Sequence, residues 1–196
     1  MIDSQKLELY ILKCAVIQAE VEKFDQADGL PLIMTRADAA EVYGEHLAQF
    51  SAESRSRASK MASYYELFYL VENEIRRIIQ ETLEESYGRS WWDTCVDQLI
   101  KDEVDKNRKR ELELALSIRS EREIDYTTFG QLGDIIRKNW ANFAGIMSNQ
   151  PALSRVLHQL NVLRGTIAHC GFLAEDEVDR LHLTIKDWFR VMAGPR

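Results

Sequence analysis

An all-α fold, an up-and-down helical bundle with an extra N-terminal helical hairpin, is what this sequence predicts, on three observations. Apolar residues recur at helical steps of three and four along nearly the whole chain. Only three prolines and nine glycines punctuate 196 residues. No stretch alternates apolar and polar residues as a half-buried strand would, so helices have to pack on helices.

Taken in order, Leu7, Tyr10, Cys14, Ile17, Val21 and Phe24 form a narrow stripe suited to a coiled-coil-like partner, and "DGLP" at 28–31 ends that helix. Thr35 and Asp38 are spaced as a capping box for a second helix reaching about Phe50. The polar, small-residue segment 51–60 reads as a linker in preference to a solvated continuation of helix. Ser63 and Glu66 are spaced to cap a long helix through Leu67, Val71, Ile75, Ile78 and Leu83, with Gly88 placed to close it. Ser90 and Asp93 open the next helix, carrying Val96, Leu99 and Val104, and "ELELALSIRSERE" continues helical after a charge run. Phe129, Leu132, Ile136, Trp140 and Phe143 mark a further helix. Pro151 suits the first turn of the one bearing Leu153, Leu157, Leu160 and Leu163. A last helix from about Glu175 puts Val178, Leu181, Ile185, Trp188 and Met192 on one face. The expected organisation is an N-terminal helical extension with its linker over 1–60, then a main domain over 61–196.

Composition narrows the function. At 45% hydrophobic and 29% charged, the chain has enough apolar residues for a sizeable core. Its net charge of -7 excludes a protein that coats nucleic acid through a global positive field, so any nucleic-acid role needs a local site. Cys14, Cys95 and Cys170 are odd in number, far apart and without zinc spacing, which predicts buried thiols in a reducing compartment and no metal or other cofactor. With no apolar run of spanning length and no signal-peptide pattern, a cytoplasmic protein without membrane association is expected.

One short stretch carries chemistry. "LNVLRGTIAHCGFL" (160–173) sets Arg164 and His169 five positions apart. On a straight helix they lie roughly 140° apart, so convergence requires the helix to end between them. Gly165 and Thr166 are weak helix formers and suit such an end. Asn161, three residues before Arg164, shares its face and is placed to add a hydrogen bond. A guanidinium binds phosphate and stabilises charge on its oxygens; an imidazole moves protons near neutral pH. Spacing alone also fits an incidental pair. Of the remaining features, "KNRKR" at 106–110 reads as a solvated face before it reads as an RNA track. Trp140 and Trp188 read as core, and adjacent Trp91 and Trp92 cannot both face inward. His46, His158 and His182 lack partners at metal spacing.

Together, "YYELFYLVENEIRRIIQETL", "YTTFGQLGDIIRKNW" and "LNVLRGTIAHCGFLAEDEVDRLHLTIKDWF" resemble the HEPN superfamily over roughly residues 63–192. The closest likeness is to the branch attached to a eukaryotic PIN-type RNA endonuclease and found in bacterial defence proteins. That resemblance implies a four- to five-helix bundle with the signature Arg-x4-6-His, matched here by Arg164 and His169. It implies a metal-independent endoribonuclease of defence or toxin type, acting on RNA as a homodimer with both Arg/His pairs in one cleft. It also implies an antitoxin or defence-system partner.

Glu72, Asn73 and Arg76 match polar positions of the family's first helix that face the cleft; otherwise they form a solvated face with an i,i+4 Glu72–Arg76 pair. Two departures are evident. Gly165 stands where the family commonly has Asn, Asp or His, and Phe172 stands where one subgroup has a modifiable tyrosine. The alternatives are a non-catalytic HEPN module that binds RNA, a nucleotide or a protein, and a plain helical interaction protein.

Overall fold

The computed structural model describes residues 43–114 and 117–193. The N-terminal stripe, the Thr35/Asp38 cap and Cys14 lie outside the described residues. The chain divides into two compact units, 1–55 and 56–196. In the first, residues 43–47 are helical.

Among the described residues there is no strand. The helices are α1 (Ala52–Tyr87), α2 (Trp91–Cys95), α3 (Gln98–Glu113), α4 (Phe129–Lys138), α5 (Trp140–Phe143), α6 (Gln150–Ala168) and α7 (Glu175–Met192). Short 3-10 turns stand at Gly88–Ser90 and Glu123–Tyr126. The all-α class is as the sequence predicts, and several element boundaries differ, among them a break at Asn139 that divides the helix expected through Phe129 and Phe143 into α4 and α5.

The segment expected as a linker is helix. Ser51 supplies the cap, its Oγ accepting from the Ser54 amide at 3.1 Å, and α1 runs unbroken from Ala52. Ser63 therefore sits inside the helix, where its hydroxyl donates to Lys60 O at 2.7 Å and caps nothing. Residues 51–60 are all exposed, as a polar composition requires; burial begins in earnest at Phe68. Gly88 closes α1 in the left-handed region, at φ 61°, where a side chain would be strained.

The helix expected from Ser90 breaks at Val96, which is extended, and α3 starts at Gln98. Burial drives the break: Cys95 and Val96 both enter the core, and Asn139 Nδ2 donates at 3.0 Å to the Cys95 carbonyl that the helix end leaves free. Leu99, expected on the apolar face, is 83% exposed and Ile100 is buried in its place, while Val96 and Val104 are buried as expected. Residues 117–122, expected helical, form an irregular segment after α3.

The C-terminal helices follow the sequence closely. Thr128 and Gln131 make a reciprocal capping box on α4. Asn149 caps α6 with Pro151 in its first turn. Helix α6 packs against both α4 and α7, and Leu153, Leu157, Leu160 and Leu163 line its buried side. Trp188 and Leu181 fill the facing side of α7. Trp91 is buried and Trp92 half-buried, their rings edge-on at 5.4 Å, consistent with only one facing inward.

Candidate functional site

Five residues of α1 fall on one stripe: Tyr65, Tyr69, Glu72, Asn73 and Arg76, at i, i+4, i+7, i+8 and i+11. The adjoining stripe, through Phe68, Val71, Ile75 and Ile79, is buried, with Phe68 at the cleft floor. The polar stripe forms one wall of a cleft of about 530 Å³. Arg164, Ile167 and Ala168, the last turn of α6, form the second wall. Arg119, Ser120, Arg122 and Asp125, from the segment between α3 and α4, form the third.

Glu72 is the hub. Its carboxylate is 12% exposed and lies between two guanidiniums. On one side Arg76 Nη2 donates to Glu72 Oε1, an i,i+4 pair that is buried and not solvated as its spacing alone would suggest. Arg76 also donates from Nε to Ile124 O at 3.3 Å and from Nη2 to Thr127 O at 3.2 Å, which ties α1 to the 3-10 turn before α4. On the other side Arg164 Nε stands 3.5 Å from Glu72 Oε2, with its side chain 41% exposed. Asn73 lines the cleft while its amide donates to Tyr69 O at 2.8 Å, within its own helix.

The third wall is held by its own ion pairs. Arg122 forks onto Asp125 with two bonds of 2.9 Å, and its Nη1 reaches Gln80 of α1 at 3.2 Å. Arg119 pairs with Glu111 of α3 and lies over the Tyr126 ring, 4.8 Å from its centroid. The buried Tyr126 hydroxyl donates to Glu111 at 3.1 Å. Burial would raise the Glu111 carboxyl, but hydrogen bonds from Arg119 and Tyr126 outweigh it and hold it below the ordinary glutamate value. Four guanidiniums and two carboxylates line the cleft, so a chain of net charge -7 has concentrated positive charge in one concavity.

The α6 terminus differs from expectation. The helix does end between Arg164 and His169, with His169 on the turn as the C-cap residue, but it ends later than Gly165 and Thr166 suggest: both are helical, and the last helical residue is Ala168. The termination is a Schellman motif. Gly171 N–H donates to Thr166 O at 2.7 Å, Cys170 N–H donates to Ile167 O at 3.0 Å, and Cys170 takes the left-handed position at φ 58°. Gly171 is needed for a different reason: a Cβ there would lie 2.7 Å from Thr166 Cγ2 and 2.8 Å from Thr166 O. Helix propensity loses to this hydrogen-bonded ending three to four residues further on.

His169 is consequently exposed at the end of α6 and does not line the cleft that Arg164 lines. Asn161 also lies elsewhere: with His158, Phe129 and Gly133 it borders a separate groove of about 200 Å³ between α4 and α6. The structure thus groups Arg164, Glu72, Asn73 and Arg76 and leaves His169 and Asn161 outside the group. Tyr65 and Tyr69 were legible as extensions of the Glu72–Asn73–Arg76 stripe. Arg119 and Arg122 were not, because they reach the cleft from a segment whose local spacing suggests helix.

Arg108 of the basic run pairs with Glu123 at 3.2 Å and stacks on Tyr126, so it serves α3 packing. Phe172 is half exposed under Arg57 and Lys60, at 5.8 and 5.7 Å from its ring centroid. Among the described residues no three His, Cys, Asp or Glu side chains converge as a metal-ligand set, and no helix is long and apolar enough to cross a membrane.

A helical bundle whose packed central helix ends on an Arg-x4-His sequence, with the arginine facing an acid-centred, arginine-lined cleft, defines a HEPN-type module. The chain belongs to the Swt1-like HEPN family, whose model matches residues 66–193. No curated protein and no solved structure matches the chain.

Proposed function

We propose that this protein is a metal-independent endoribonuclease of defence or toxin type whose site is completed in a homodimer. Membership of the family supports an RNA-related role. The observation that carries the finer reading is Arg164: a half-exposed guanidinium, braced from behind by Glu72 and open to an arginine-lined cleft. Such a group grips a phosphodiester by its fork geometry and stabilises charge that develops on its oxygens.

The reaction is transesterification. The 2′-oxygen forms a bond to phosphorus, the bond from phosphorus to the 5′-oxygen breaks, the 2′-hydroxyl proton passes to a base, and an acid protonates the leaving 5′-oxygen. Products carry a 2′,3′-cyclic phosphate and a 5′-hydroxyl. His169 is the residue suited to the proton transfers. Its exposed position on the rim favours a composite site, in which the end of α6 from a second subunit brings an imidazole toward the cleft. One histidine then serves as base and the other as acid.

The same exposure of His169, with Gly165 beside Arg164, favours a second reading: a non-catalytic module that binds RNA through the cleft. The test is cleavage of labelled total RNA and transfer RNA in EDTA by the wild type, Arg164→Ala and His169→Ala, each shown folded and of equal oligomeric state. Loss of cleavage by 10²-fold or more in both variants is expected. No cleavage by the wild type would leave the binding module as the reading. Cleavage surviving both substitutions would remove the pair from the chemistry.

A further inference from the structure

We infer that Tyr65 and Tyr69 form a base-stacking subsite that makes the cleft selective for single-stranded RNA; this deepens the reading of the cleft as an RNA site and rests on it. The two tyrosines line the same cleft as Arg164 and Arg76. They are 59% and 58% exposed, with ring centroids 6.4 Å apart and planes tilted by 40°. Isolated exposed aromatics need no explanation. A neighbouring pair in line with Glu72, Asn73 and Arg76 on one helical stripe, facing a cleft that holds four guanidiniums, does.

The chemistry pairs two features that unpaired RNA presents together. A phosphate fits the half-exposed Arg164 guanidinium, and bases fit the tyrosine faces, because every base has a π-face whatever its sequence. A duplex offers only the phosphates, since its bases are already stacked on one another. The dimensions suit several nucleotides: Tyr65 stands about 16 Å along α1 from Arg76, against roughly 3.4 Å per stacked nucleotide. Asn73, lying between the tyrosines and the arginine, faces the intervening nucleotide. The tyrosines thereby set which RNA enters, and Arg164 receives the phosphate that follows.

The experiment measures binding apart from cleavage. The probe is a fluorescent twelve-nucleotide RNA with 2′-O-methyl riboses, which cannot undergo 2′-oxygen attack, free or annealed to its complement. It is titrated against wild type, Tyr65→Ala/Tyr69→Ala and Tyr65→Phe/Tyr69→Phe, with sedimentation of each variant. Expected are tighter binding of the single strand than of the duplex by about tenfold, loss of about tenfold or more of single-strand affinity in the alanine variant, and retention in the phenylalanine variant, which keeps the ring.

Equal binding of duplex, unchanged affinity of the alanine variant, or no binding by wild type would overturn the subsite. So would an affinity loss accompanied by a changed oligomeric state, which would assign the tyrosines to a subunit interface. The cleavage assay in EDTA separates this from the nuclease reading. Cleavage indifferent to the tyrosines sinks the subsite alone, while tyrosine-dependent binding without cleavage sinks the nuclease alone.

Discussion

Arg76 and Arg164 share one carboxylate and are treated oppositely by the fold. Arg76, at the inner end of the cleft, has a side chain 12% exposed and hydrogen bonds to Glu72, Ile124 O and Thr127 O. Arg164, at the outer end, is 41% exposed and reaches the same carboxylate at 3.5 Å. The inner guanidinium has its donors committed to the protein and joins α1 to the turn before α4. The outer one keeps donors in reserve. The polar cluster divides its labour: the acid needs one arginine to make its burial tolerable, and only the other is available to a ligand.

The strongest way to break that distinction is to delete each arginine separately. Arg76→Ala leaves the Glu72 carboxylate buried without its main partner and takes a donor from Thr127 O, while Ile124 O keeps the Thr127 amide and hydroxyl, and a loss of roughly 3 kcal/mol in chemical denaturation is expected. Arg164→Ala removes a half-exposed partner at long range, and a loss below about 1 kcal/mol is expected. RNA binding or cleavage should show the reverse order of sensitivity once both variants are compared below their midpoints. Equal destabilisation by the two would mean that Arg164 is as structural as Arg76.

The α6 terminus offers a second contrast, between the two residues that end it. Gly171→Ala drives a Cβ into Thr166, including its carbonyl oxygen, and should destabilise by about 2 kcal/mol, readable as a lowered Tm. Cys170→Gly relieves a left-handed non-glycine residue and should leave stability unchanged or raise it by up to about 1 kcal/mol. If instead Gly171→Ala is silent, the Schellman ending does not fix the position of His169, and the rim geometry at the outer end is softer than described.

Gly165 sharpens the comparison at the outer end alone. A Cβ built there meets nothing within 4 Å, although the residue lies inside α6 beside Arg164. Gly165→Asn should therefore fold with stability equal to wild type or better by about 0.5 kcal/mol, because glycine is the poorer helix former. It restores a polar group of the kind common in the family directly after the arginine, and a several-fold gain in cleavage rate is the expected readout. A variant that gains stability without gaining rate would show that the glycine does not limit the chemistry.

How much of this was legible in the sequence depends on whether local spacing and tertiary demand agreed. In α6 and α7 they did: Pro151 and the stripe Leu153, Leu157, Leu160, Leu163 mark a helix that also packs as one, and Leu181, Ile185 and Trp188 do the same. At Val96 they did not. The local pattern is helical, but burying Cys95 and Val96 together required a break, which Asn139 stabilises from 44 residues away. The site divides along the same line. Glu72, Asn73, Arg76 and Arg164 were readable because each lies on a regular helix, where position in the sequence gives position on a face. Their environment was not, since a Glu72–Arg76 pair is solvated or buried according to what Ile124 and Thr127 place over it. His169 does stand on the turn after α6, but the helix end was read too early, because glycine and threonine weaken a helix less than the Schellman ending at 169–171 defines its stop.

The part of the third wall around Arg119, beyond the turn that Arg76 holds, provides the smallest effect. Arg119 is held by Glu111, whose carboxyl lies below its ordinary value of 4.5 because Arg119 and Tyr126 bond to its ionised form against the cost of burial. A carboxylate lowered by folding stabilises the folded state above its unfolded pKa, and the contribution is lost as pH falls through the folded value. The clamp should therefore be complete at neutral pH and release below the ordinary glutamate range. Residues 117–122 would then exchange amide hydrogens faster while α6 and α1 remain protected. Glu111→Gln cannot ionise, so in that variant the segment should exchange rapidly at neutral pH and change little on acidification. If the wild-type segment holds its protection at acid pH, or the glutamine variant loses protection in parallel with it, then Arg119 is positioned by its stacking on Tyr126 and not by the charge on Glu111.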